Sequence, residues 1–116
     1  MPLTSKDAIL KIADLGEPVR LEVPEWNDIV LLRRPTANDR DAWELYCQEH
    51  NTKPKSVWRA KLASMLLCDE GGKLIFSQAE VTALGEKSAA ALQRIWERGI
   101  ALMRITEEEV KELEGN

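Results

Sequence analysis

Asp69 and Glu80 stand at the first and twelfth places of a window with Phe76 at its apolar eighth, the framing of an EF-hand calcium loop. His50 is the chain's one imidazole, the side chain most often used as a general base near neutral pH. Asp39 and Asp41 make a close carboxylate pair, and Cys47 and Cys68 are the two thiols. Calcium binding, proton transfer and thiol chemistry are therefore the reactions to test against spacing.

Each fails that test. Counting from Asp69, the third, fifth and sixth places are Gly71, Lys73 and Leu74. A calcium cage there would lose two side-chain oxygens, gain a cation and lack the glycine its sharp turn needs. Glu80 is already accounted for as the reciprocal partner of Ser77 in a Ser-x-x-Glu helix cap. His50 shares a helix face with Trp43, Tyr46 and Cys47, where it reads as a packing group at a helix end. No nucleophile with a neighbouring base, glycine-rich phosphate loop or clustered metal ligands accompany it. Asp39 and Asp41, two apart near a helix start, point to different sides, and capping and the helix dipole explain them. Cys47 and Cys68 match no paired metal or redox spacing and read as small buried apolar groups. The expectation is a protein that is not an enzyme, with no catalytic residue, no metal and no cofactor.

A chain of 116 residues with 44% hydrophobic and 31% charged side chains suits one folded domain. It contains no apolar run near the roughly 20 residues of a membrane span, and "MPLTSKDAIL" lacks a basic segment followed by a long apolar one. A cytoplasmic protein without membrane contact is expected. The formal charge of −4 is uneven: residues 1–106 hold 15 acidic and 15 basic side chains, and "EEEVKELEGN" holds five Glu against Lys111. A neutral body is poor material for counterion release, and a solvated helix face explains the small cluster Lys53, Lys55, Arg59 and Lys61. No nucleic-acid partner is expected. The expected organisation is one globular domain over 1–106, followed by an acidic helix or tail over 107–116 that docks loosely.

The elements that must carry these residues follow from periodicity. "TSKDAILKIADLGEP" reads as a short helix capped by Thr4, with Ile9, Ile12 and Ala13 on one face and Gly16 and Pro18 at its end. Val19, Leu21 and Val23 alternate with Arg20 and Glu22, break at "PEWND" and resume as "IVLL", an antiparallel hairpin that needs helices on one face. Thr36 and Asp39 open a second helix, and Trp58, Leu62, Met65 and Leu66 mark a third that ends at "DEGG". "KLIF" is a strand fragment or an apolar plug. Ser77 and Glu80 open a further short helix, with Gly85 suited to a left-handed position beyond its end. Leu92, Ile95, Trp96, Gly99, Leu102 and Met103 share a face of the longest helix, and Gly99 there implies close approach by a backbone or an aromatic ring. The fold class is α+β, predominantly α-helical: an N-terminal helix, an antiparallel β-hairpin, then a bundle of about four helices.

Trp43, Trp58 and Trp96 lie on apolar helix faces and read as core. Trp26 sits at the hairpin tip with few core neighbours in its own element, so both local packing and an intermolecular contact are open to it. Val110 and Leu113, the strong apolar positions of the last helix, are the other candidate partner contacts.

The segments "RRPTANDRDAWE", "KLASMLLCDEGGKLIFSQAEVTALGEKSAAALQRIWERGIAL" and "TEEEVKELEGN", in that order, resemble the tail assembly chaperones of long-tailed bacteriophages and prophages. The resemblance runs from about Leu32 to the C-terminus, and its weight lies in Cys68-Asp69-Glu70, Gly72-Lys73-Leu74, Phe76 and Val81 through Ala89. It implies a non-catalytic protein of the infected cell's cytoplasm, absent from the mature virion. Such a protein binds the tape measure protein before the tail tube polymerises and helps bring tail tube protein to it. It also implies a longer form made by ribosomal frameshifting, with the acidic terminus as the junction. The resemblance supplies no ligand residues. Weak self-association is expected where many copies share one polymer. The other reading the residues leave open is a small helical adaptor or transcription-associated module of a bacterial or prophage genome.

Overall fold

Alternation of apolar and charged residues in "VRLEV" puts Val19, Leu21 and Val23 on one side of an extended chain. The computed structural model describes residues 2–51 and 55–104, with the backbone alone for 55 and 56. In it these residues form β1, Val19–Val23, antiparallel to β2, Asp28–Leu32, in the register Val19↔Leu32 and Leu21↔Val30. A 3-10 turn, Pro24–Trp26, joins them and closes at Asn27, whose φ of 53° lies in the left-handed region that asparagine tolerates.

The N-terminal helix, α1, is Lys6–Leu10, capped by Ser5, whose Oγ accepts from Ala8 N at 3.1 Å. The cap is one residue later than Thr4, and α1 buries none of its side chains. Its apolar face looks into water. α2, Ala37–Glu49, starts with the expected reciprocal cap: Asp39 N donates to Thr36 Oγ1 at 3.1 Å and Thr36 N to Asp39 Oδ2 at 2.9 Å. Arg33 adds an ion pair to the same Asp39 oxygen at 2.6 Å, which ties the end of β2 to the start of α2.

The third helix, α3, Lys55–Leu66, runs without a loop into a third strand, β3, Leu67–Cys68. β3 pairs with β2 through Leu32↔Leu67 and Leu31↔Cys68, so the hairpin becomes a three-stranded antiparallel sheet in the order β1-β2-β3. The sequence reading carried α3 through these residues, because a buried two-residue strand has no periodicity of its own. The chain then turns at Asp69–Gly72, with Gly72 at φ 83°, and returns so that Leu74 bridges Cys68. "KLIF" thus contributes one rung and an apolar end.

A 3-10 turn, Gln78–Glu80, leads into α4, Val81–Leu84, and α5, Ala89–Met103, is capped by Ser88. Four helices therefore follow the hairpin among the described residues. Gly85 is right-handed at φ −65°, contrary to the expected left-handed cap, because the chain continues in a further turn toward α5. Gly99 is buried in α5, and a Cβ there would lie 3.0 Å from both Leu62 Cδ2 and Leu66 Cδ1 of α3. Aliphatic side chains, rather than a backbone or an aromatic ring, press on it.

Trp43 is the hub of the core. It is fully buried and meets Trp58 edge-on at 6.3 Å and Trp96 at 5.7 Å, the T-shaped geometry that ring quadrupoles favour. Val19, Leu32 and Leu67 from the sheet join the same core.

Candidate functional site

The residues singled out for chemistry are occupied in building the fold. Asp69 Oδ1 accepts from Gly71 N and Lys73 N, both at 2.9 Å, and so holds the turn at Gly72. Glu80 Oε1 accepts from Ser77 N at 2.8 Å and from Ser77 Oγ at 3.0 Å. These hydrogen bonds, the backbone one first, keep the Glu80 carboxyl below its usual range. The two carboxylates serve different turns. His50 is the residue at the end of α2: its ring stacks on Tyr46 at 4.2 Å, its Nδ1 lies 3.0 Å from Tyr46 O, and its carbonyl accepts from Trp58 Nε1 at 3.1 Å.

Cys47 and Cys68 are both free and buried. Burial, with Glu44 adding to it, pushes the Cys47 thiol up to about 12, and burial also raises Cys68. Neither has the lowered pKa of a reactive thiol. Among the described residues no three His, Cys, Asp or Glu side chains gather as metal ligands, and no helix is long and apolar enough to cross a membrane.

What the surface does offer is a groove. Trp26 of the hairpin turn, Val30 of β2 and Leu67 of β3 line it. Ile75, Phe76, Leu84 of α4 and Lys87 complete its lining. The hollow measures about 320 Å³. Trp26, Val30 and Phe76 are half-buried against the core, while Ile75 is 55% exposed. The turn that bears Trp26 is anchored from α5: Arg94 Nε donates to Glu25 Oε1 at 2.8 Å and Oε2 at 3.0 Å. That interaction holds the Glu25 carboxyl below its ordinary value. The Trp26 wall is therefore fixed at its base.

A larger hollow of about 430 Å³ lies between residues 15–18, Arg33, Arg34, Thr36 and the turn 70–72. Arg33 Nη2 is paired with Asp39 and Arg34 Nε donates to Glu17 O at 2.9 Å, while Arg33 Nε is buried without a hydrogen-bond partner among the described residues.

Of the three residues expected to contact partners, Trp26 lines the apolar groove, and Val110 and Leu113 lie outside the described residues. Sequence reasoning missed that Ile75 and Leu84 line one groove with Trp26. The available signal was the apolar "KLIF" placed directly after a tight turn, which returns an apolar end to the sheet it has just left.

The model of one protein family, the phage tail assembly chaperones, matches residues 6–113. That span includes the N-terminal helix and hairpin as well as the segments from Leu32 onward. No curated protein and no solved structure gives a match.

Proposed function

The chain belongs to the phage tail assembly chaperone family, and from that membership we propose that it is a non-catalytic chaperone that binds the tape measure protein and helps recruit tail tube subunits. It works in the host cytoplasm and is absent from the finished virion. The observation that supports this reading is the apolar groove beside Trp26, where a tryptophan, Phe76 and four aliphatic side chains converge around open space. A tape measure protein is a long, largely helical chain whose apolar faces would self-associate if left bare. Small apolar grooves, each weak and repeated along such a polymer, cover it reversibly. Val110 and Leu113, which lie outside the described residues, are proposed as further partner contacts.

The test is association of the purified protein with the tape measure and tail tube proteins encoded beside it, by calorimetry or co-purification. Trp26→Ala is expected to weaken tape measure binding about thirtyfold, the effect of losing one hot-spot aromatic worth about 2 kcal/mol. Because Trp26 is half-buried, the same substitution costs only about 1–2 kcal/mol of stability. Absence of binding to either protein at concentrations where the chain is folded contradicts the proposal.

A further inference from the structure

The three-stranded sheet is closed on one side and open on the other. Beyond β3 the chain returns on itself: Leu74 bridges Cys68, Ile75 N donates to Leu67 O at 3.2 Å and Asp69 N donates to Lys73 O at 2.9 Å. β1 has β2 on one side, and among the described residues no hydrogen bond reaches its outer backbone edge. An unpaired edge is a template for another strand. The charged side chains of β1, Arg20 and Glu22, are exposed on the face away from the core, and neither has an ion pair or a hydrogen-bond partner among the described residues. "VRLEV" is its own complement in an antiparallel pair: with Leu21 on a two-fold axis, Val19 comes opposite Val23, and Arg20 comes opposite Glu22 twice over. A slip of two residues sets Arg20 against Arg20 or Glu22 against Glu22, so charge selects one register. Side chains of one sign would repel a second copy at this edge; this pair attracts it.

We infer that β1 pairs edge to edge with β1 of a second copy of this chain, antiparallel and centred on Leu21, so that three strands from each copy form one continuous sheet. This pairing goes beyond the binding of tail proteins and makes no use of the groove beside Trp26. Residues directly opposite in an antiparallel pair share a face. Leu21 of each copy therefore meets its counterpart on the core side, and the two Arg20–Glu22 pairs lie on the outer side. Pro18 and Pro24 lack an N–H and limit the pairing to the five residues of β1. Neighbouring charges do not oppose it. Leu21 and Glu22 line an open hollow with Arg94, Glu97 and Arg98 of α5, and with Glu25, which Arg94 holds, these make two cations and two anions. Past the prolines Glu17 comes toward Glu25 of the second copy, and each has a guanidinium beside it, Arg34 on Glu17 O and Arg94 on Glu25. A five-residue edge falls well below the roughly 800 Å² per partner of a stable complex. The association is consequently weak and concentration-dependent.

Sedimentation velocity of the full chain alone, from micromolar to several hundred micromolar, tests this. Wild type is expected to move from monomer toward dimer mass as concentration rises. Arg20→Glu leaves only carboxylates across the axis and Glu22→Arg only guanidiniums, so each is expected to raise the dissociation constant at least tenfold. Both side chains are exposed, so melting curves matching wild type establish that both variants fold. An equimolar mixture of the two variants is expected to recover association, since each carries the sign the other lacks. The chain with both substitutions is expected to associate like wild type, because exchanging the two signs restores the match. A wild type that stays monomeric throughout, single variants that associate like wild type, or a mixture that stays monomeric overturns the inference. So does a wild type that is monomeric alone and loses tape measure binding on Arg20→Glu, a result that assigns this edge to the client instead.

Discussion

Replacing Gly99 by alanine sets two known effects against each other inside α5. Alanine in a helix interior is favoured over glycine by about 1 kcal/mol, because glycine loses more backbone freedom on folding. The new methyl, however, would lie 3.0 Å from Leu62 Cδ2 and from Leu66 Cδ1, well inside the roughly 3.5–4.0 Å optimum for two carbons. Both leucines are fully buried, so neither can swing its methyl into water. Overpacking of this kind costs about 1–3 kcal/mol, and the crowding wins. Gly99→Ala should destabilise the protein by about 1 kcal/mol, which for a domain of this size lowers Tm by about 4 °C. Thermal and urea denaturation followed by circular dichroism measure it. A second background isolates the cause: Leu66→Ala removes one of the two 3.0 Å contacts and leaves space into which Leu62 can shift, so adding Gly99→Ala there should cost less than it does in the otherwise native protein. If Gly99→Ala raises Tm in the otherwise native protein, the close contact with α3 is not what keeps a glycine at this position.

Thr36→Ala removes the hydroxyl that accepts from Asp39 N and should cost about 1 kcal/mol in urea denaturation. Glu25 bears on the acid limb of stability. Its carboxyl is depressed below 4.5, chiefly by the hydrogen bond from Arg94, so its contribution is present above about 4.5 and is lost as pH falls through the folded value. Denaturation midpoints between pH 7 and 3 should fall less steeply in Glu25→Gln than in wild type. Cys47 acts at the other end. With its thiol raised from 9 to about 12, its contribution is whole below pH 9 and declines as pH rises toward 12. Cys47→Ala should flatten that alkaline decline. A thiol reagent should label Cys47 only at the rate at which the protein opens, and rapid labelling of the native protein would show that the thiol is not enclosed.

Features set by neighbours in the chain were legible as sequence. Thr36 and Asp39 cap α2 because both sides of that exchange lie within one turn, and the alternation from Val19 to Val23 makes a strand because its period needs no distant information. The three helical tryptophans were readable as core from spacing alone. The exposure of α1 was not: Ile9 and Ile12 have the spacing of a buried face, but they are 53% and 45% exposed. The handedness of Gly85 escaped for a similar reason, since an αL cap and a continuing turn have the same local residue and differ in where the chain goes next.

The sequence by itself determined the order of the N-terminal helix, the hairpin and the helices after it, and the resemblance to a family whose model matches residues 6–113. Those are properties of adjacent residues and of their pattern. Tertiary structure alone decided that Leu67 pairs with Leu32 and turns a hairpin into a three-stranded sheet, that leucines of α3 press on Gly99, and that Trp26 shares a groove with Ile75, Phe76 and Leu84. Each of these depends on which distant segments the packed core brings together. Burial selects that arrangement through the fit of whole faces, and no local window of residues contains it.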